Sequence, residues 1–189
     1  MTRTKWIWLI LVLVYAAFFF WYTSFEGPLT DDEMTDYMAQ FENREPPPPA
    51  EAIERLRKFM EEDTGDDFVM VNVIDMYETP LQIEGVKPGE TSNEVLAKYM
   101  EYMYPALFSR ASHPVLFGES AGSAIDLMNA DGMGEWTQGA GMRYRSRRDM
   151  LEIATNPAFQ GSHEFKIAAM RKTIAFPIDP WAQLGDPRL

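Results

Sequence analysis

The pentapeptide Gly118-Glu119-Ser120-Ala121-Gly122 has the spacing of a nucleophile elbow, in which a serine on a sharp turn after a strand is activated by a histidine and an acid. The apolar run Val115 to Phe117 precedes it, and Asp149 and His163 follow in the order such hydrolases use. The rest of that scaffold is missing. Only one clear strand stands upstream, no oxyanion loop of the His-Gly-Gly type is present, and the chain breaks at Asn129 to Gly134 soon after the serine. A serine esterase is therefore the last of the functions kept open.

A second constellation joins polar side chains set inside apolar elements. Asn72 interrupts the run Phe68 to Tyr77, and Tyr144 and His163 fall where sheet and helices should converge. His163, Tyr144 and Asn72 are the candidate catalytic residues, with His163 as the proton-transfer group. Each read alone is also what a satisfied polar group in a core would look like. Arg143, Arg145, Arg147 and Arg148 form the one basic cluster. Arg143 and Arg145 share one strand face and, with Glu119, are the candidate ligand-binding residues, able to clamp a carboxylate or phosphate. Pairing of the arginines with nearby Asp and Glu is the plainer alternative.

Other chemistry is excluded by composition. Cysteine is absent, which removes disulfides, thiolate catalysis and thiolate metal sites. His113 and His163 are the only imidazoles, and no Asp-rich calcium-type loop occurs, so no metal and no cofactor is expected. His113, before Pro114, reads as a solvated loop histidine. Tyr99, Tyr102 and Tyr104 with Met100 and Met103 read as a helix stripe packed on a sheet rather than a haem lining. A formal charge of −12 argues against nucleic-acid binding.

The elements that would position these residues follow from pattern. Glu51 to Glu62 carries Ile53, Leu56, Phe59 and Met60 at helical spacing. Phe68 to Tyr77 is strand-like. Thr91 with Glu94 signals a capping box ahead of the stripe from Val95 to Leu107, which holds Pro105. Val115 to Gly118 predicts a short strand, Asn129 to Gly134 a turn, and Thr137 to Arg145 another strand. Ser146 and Asp149 suit the start of a helix, Asn156 and Pro157 a break and restart, and Thr173 to Ile178 a last strand. The order is strand, helix, strand, strand, helix, strand, which predicts an α+β, ferredoxin-like βαββαβ sandwich. Its uncovered face, carrying Val and Met, predicts a homodimer.

Ahead of this domain, Trp6 to Tyr22 is an unbroken apolar and aromatic run, about 25 Å long as a helix. Arg3 and Lys5 precede it and acidic residues follow, which predicts a single-pass, uncleaved transmembrane anchor with residues 1–5 in the cytoplasm. No small-x-small cleavage site follows Ala16 and Ala17. Residues 23–50, acidic and ending in Pro46 to Pro49, read as a semi-rigid stalk. Residues 51–66 read as an amphipathic helix and connector, 67–178 as the domain, and 179–189 as a tail.

The stretch Met142-Arg-Tyr-Arg-Ser-Arg-Arg-Asp-Met-Leu-Glu-Ile-Ala-Thr-Asn-Pro-Ala-Phe, with His163, Glu164 and Ala168 to Thr173, resembles a bacterial family of uncharacterised small domains in the dimeric α/β barrel superfamily. Met70-Val-Asn-Val, Tyr104-Pro-Ala-Leu and Pro114-Val-Leu-Phe-Gly look like its earlier segments in the same order. The match runs from about Asp67 to Ile178. It implies a dimeric α/β barrel on the periplasmic side of an inner membrane, and speaks to fold rather than activity. The wider superfamily includes monooxygenases, isomerases, haem-handling enzymes and ligand-binding regulators. The leading expectation is thus a membrane-anchored, homodimeric barrel that binds a small molecule, with cofactor-independent oxygenation or isomerisation as the reaction if it turns over. A non-catalytic dimerising interaction module is the alternative. An open cavity holding Asn72, Tyr144 and His163 would favour the first, a filled one the second.

Overall fold

The computed structural model describes residues 2–44, 47–122 and 136–179, with the backbone alone for 158–160. The expected turn at Asn129 to Gly134 and almost all of the tail lie outside them. Helix α1 (Arg3–Tyr22) is apolar along its length, with none of it buried. At 1.5 Å per residue its 20 residues reach about 30 Å, the thickness of a bilayer's hydrocarbon core.

Residues 23–50, expected as a stalk, instead hold helix α2 (Asp31–Glu42). Thr30 and Glu33 close a capping box there, and Met34, Tyr37, Met38 and Phe41 recur at helical spacing within acidic sequence. That apolar stripe has a partner in α3 (Ala50–Glu61), and Leu29, Met38, Met60 and Leu151 form one buried cluster. The connection is pinned again where Gly65 meets Gly27. A Cβ on Gly65 would fall 2.5 Å from the Gly27 carbonyl carbon, and its φ of 82° suits glycine.

The domain proper follows in the expected order: β1 (Phe68–Met76), α4 (Ser92–Ser109), β2 (His113–Glu119), β3 (Gln138–Tyr144), α5 (Arg147–Thr155), α6 (Pro157–Ala169) and β4 (Met170–Ile178). The sheet order is β2-β3-β1-β4 with every pair antiparallel, so the two helical crossovers leave β1 and β3 central. This is the ferredoxin-like split βαβ topology. Thr91 and Glu94 cap α4 as their spacing predicts, and Pro105 lies within that helix. Ser146 caps α5, accepting from the Asp149 backbone N–H. Strands β2 and β4 begin earlier than their apolar runs. Strand β2 continues through a register shift between Pro114 and Leu116, and β4 pairs with β1 from Met170 onward.

Alternation along the strands sorts the side chains between two faces. Met70, Asn72, Ile74, Ala140, Met142 and Tyr144 face the helices. Ile74, Val95, Leu96, Ala168 and Ala169 form the core at one end, and Met103, Leu107 and Ile153 at the other. The opposite face carries Val69, Val71 and Val73 beside Ile178, Phe176 and Ile174. Phe176 is 45% exposed and Leu116, on β2, 65%.

Candidate functional site

Between the two core clusters the helices stand off from the sheet and leave a cavity of about 950 Å³. Its floor is Met70, Asn72, Ala140, Met142 and Tyr144 of the central strands. Helix α4 contributes Leu96, Tyr99, Met100 and Met103, α6 contributes His163, Lys166 and Ile167, and the end of α2 contributes Gln40, Asn43 and Arg44. Most of this wall is apolar, and much of it is methionine, whose unbranched thioether adapts to irregular shapes. A few convergent polar groups in an apolar wall are the usual composition of a small-molecule site.

The three candidate catalytic residues, Asn72, Tyr144 and His163, all line this cavity. The Asn72 side-chain amide N–H donates to the Met70 carbonyl at 3.1 Å, which holds the side chain along its own strand. Tyr144 stacks on Phe68 with ring centroids 5.4 Å apart, and its hydroxyl meets no hydrogen-bond partner among the described residues. Burial, with Tyr99 nearby, raises the Tyr144 phenol above its ordinary range. Burial also pushes Tyr99 up to about 12. Both are neutral phenols at physiological pH, able to donate or accept a hydrogen bond.

The His163 ring meets that of Tyr99 edge to face at 6.1 Å. Burial, then the charges of Lys166 and Arg44, lower its pKa below the ordinary histidine value, so the neutral imidazole prevails at neutral pH. Burial also lowers the Lys166 ammonium, which sits 5.8 Å from the centre of the Tyr99 ring. Tyr99, Lys166 and Arg44 were not among the expected site residues. Lys166 follows His163 by three residues on the same helix, a spacing that puts both on one face. Arg44 had no signal, because it falls in the segment read as a stalk.

Arg143, Arg145 and Glu119 are not brought to the cavity. Arg143 lies on the opposite sheet face, where its guanidinium donates to Asp67 at 2.8 Å and to the Ala111 and Tyr22 carbonyls at 2.8 and 3.2 Å. It also covers the Tyr22 ring at 3.9 Å. Arg145 forms a two-pronged pair with Asp149 and donates to the Trp21 carbonyl at 3.2 Å. Arg147 pairs with Asp63, and Arg148 with Glu33 and Glu26. The cluster thus follows the plainer alternative, with two of its members capping the last carbonyls of α1. His113, expected as a solvated loop residue, stands on β2 with its Nε2 hydrogen-bonded to the Tyr22 hydroxyl at 2.8 Å. The apolar helix is therefore attached to the domain directly.

Glu119 accepts from the Asn93 amide at 3.0 Å and lines a separate, shallower hollow of about 510 Å³ together with Ser120. No histidine is among the described residues around that hollow. The Ser120 hydroxyl turns back to the Gly122 carbonyl, His163 belongs to the other cavity, and Asp149 is bound to Arg145 and Ser146. The elbow-like sequence has the order of a serine hydrolase without its geometry.

No family model and no curated protein matches this sequence. Solved structures do. The RPA0582 protein of Rhodopseudomonas palustris, of unknown function, is 18% identical, with 72% of this chain and 96% of that one covered at a TM-score of 0.55. Its methylated form is 17% identical, with 73% and 95% covered at a TM-score of 0.58. SnoaB, a cofactor-independent oxygenase from Streptomyces nogalater, is a looser likeness at 12% identity, 64% and 98% coverage and a TM-score of 0.38. The chain has the fold of the Rhodopseudomonas palustris protein, built on a ferredoxin-like α+β sheet.

Proposed function

We propose that this protein is a membrane-anchored domain that binds a small, largely apolar molecule in the cavity between its sheet and helices. One observation carries the reading. An open cavity of about 950 Å³ holds Tyr99, Tyr144, His163 and Lys166, none of which hydrogen-bonds to another described residue. Tyr99, Tyr144 and Lys166 are partly buried, polar groups in such places are ordinarily satisfied, and a ligand supplies what the described residues do not. A module serving only as a scaffold would gain stability by filling this space. The neutral His163 imidazole and the two phenols are also the set a proton transfer on a bound carbonyl compound requires, with His163 as base and Tyr144 and Asn72 orienting the substrate.

Helix α1 spans the bilayer in this reading. The basic residues before it and the acidic ones after it put the domain on the extracytoplasmic side, and family resemblance makes that side the periplasm. A second copy covers the open sheet face, joining two sheets into a dimeric α/β barrel. Apolar side chains from β1, β2 and β4 supply that contact.

The cavity itself is tested by filling it. Ala140 is buried on the cavity floor, so an Ala140→Phe ring enters existing space. The variant is expected to keep the wild-type circular dichroism and to lose the small molecule that the wild type retains when extracted gently from its host's membranes. Equal ligand content per mole in both proteins would overturn the assignment.

A further inference from the structure

The charge lining this cavity runs against the charge of the molecule. The chain carries a formal −12, yet the ionisable groups around the cavity are Arg44 just after α2, Tyr99 and Tyr104 from α4, Tyr144 from β3, and His163, Glu164 and Lys166 from α6. Glu164 is the single carboxylate among them, and it is exposed. Neither Arg44 nor Lys166 forms an ion pair with a described carboxylate, whereas every arginine of the 143–148 cluster does.

Each of the two cations keeps a donor without an acceptor among the described residues. One Arg44 terminal nitrogen donates to the Ala154 carbonyl at 2.7 Å and the guanidinium lies 3.8 Å over the Phe41 ring, while its Nε is buried with no acceptor among the described residues. The Lys166 ammonium lies 5.8 Å from the centre of the Tyr99 ring and makes no hydrogen bond or ion pair with another described residue. Both positive groups lower the pKa of His163, which lies close enough to sense them. An unpaired cation in an apolar wall is costly, and a hydrogen-bonded anion offsets that cost. Most of the remaining lining is apolar, chiefly methionine, leucine and isoleucine, with Gln40, Asn43, Asn72, Thr155 and Thr173 between them, and it suits an apolar body.

We propose that the cavity is built for an amphipathic monoanion, an apolar body bearing one carboxylate, with Arg44 and Lys166 on the carboxylate and Met70, Met100 and Met103 around the body. This rests on the cavity being a ligand site and names the class of ligand. Arg44 offers its guanidinium and Lys166 its ammonium, so the carboxylate receives charge-assisted hydrogen bonds from the segment after α2 and from α6.

The test uses the full chain in nanodiscs of zwitterionic lipid, with empty discs as reference, titrated calorimetrically with 2-naphthoate and with its neutral isostere 2-naphthamide. Naphthoate is expected to bind about tenfold or more tightly than naphthamide, the effect of one charge-assisted bond. Lys166→Met and Arg44→Met should each bring naphthoate toward the naphthamide affinity while leaving naphthamide unchanged. Equal affinities, or a naphthoate preference that survives both substitutions, would overturn the anion assignment and leave the cavity reading standing. Failure of both molecules to bind would overturn the cavity reading and the anion assignment with it.

Discussion

Val71→Asp is expected to convert the protein from dimer to monomer while leaving each chain folded. Val71 lies at the centre of the open sheet face, level with Phe176 on β4 and Gly141 on β3. Gly141 presents no side chain there, and a Cβ on it would crowd Val115 at 3.1 Å, so this part of the face is low enough for a second sheet to approach. Val69, Val73, Leu116, Ile174 and Ile178 surround it. Burying side chains of this kind contributes about 1.5 to 3 kcal/mol each when burial is complete. In a two-fold interface the substitution enters twice. Each carboxylate would lose its water without gaining a partner, at about 2 kcal/mol or more apiece. The dissociation constant should rise by about a thousandfold. Light scattering on the detergent-solubilised chain reads this directly, and a Val71→Asp protein that kept the dimer mass would move the interface to another surface.

Arg148→Ala has the second large effect, because this side chain ties the N-terminal layer to the domain. Its guanidinium donates to both Glu33 oxygens at 2.6 and 3.0 Å, to Glu26 at 3.1 Å, and to the Gly27 and Pro28 carbonyls at 3.3 and 3.1 Å. Glu33 also closes the capping box of α2. Breaking a fully buried pair costs about 3 to 5 kcal/mol, and Glu33 keeps part of its side chain in water, so about 2 to 3 kcal/mol is expected. The loss should appear as faster hydrogen exchange across residues 30–44 and a lower unfolding midpoint. Because Arg44 reaches the cavity from the end of this layer, ligand affinity should fall as well. Lysine should not restore it, since one ammonium cannot hold both oxygens and two carbonyls.

The same pair sets an acid limit. The Arg148 hydrogen bonds, followed by those of Thr30, hold Glu33 down to about 2, against 4.5 for an ordinary glutamate. A carboxylate depressed on folding contributes stability that is fully present above its unfolded pKa and is lost as pH falls through the folded one. The α2 layer should therefore loosen between about pH 4.5 and 2 in the wild type. Arg148→Ala should flatten that dependence, which exchange measured across the window would reveal.

Much of the fold could be read from local pattern because local forces make it. The Thr91–Glu94 capping box, the Ser146 cap and the alternation in β1 each correspond to hydrogen bonds or burial within a few residues. Helix α2 carries an equally good box in Thr30 and Glu33, hidden by an acidic composition that suggested a solvated stalk. Its apolar stripe gained meaning only once α3 and α5 offered something to pack against. The cavity lining was legible where a polar residue interrupts an apolar element, as at Asn72, Tyr144 and His163. It was not legible where long-range placement decides. Arg143 and Tyr144 are adjacent, so the register of β3 sends Tyr144 to the cavity and Arg143 to the end of α1. Nothing within reach along the chain indicates which.

The most direct measurement is native mass spectrometry of the full chain, released in the gas phase from detergent after gentle extraction from its host. The expected result is a dimer carrying one small-molecule mass per chain, and an anion when that molecule is released and identified. A dimer of bare chains under conditions that preserve other non-covalent complexes would contradict ligand binding, leaving a dimerising module in its place.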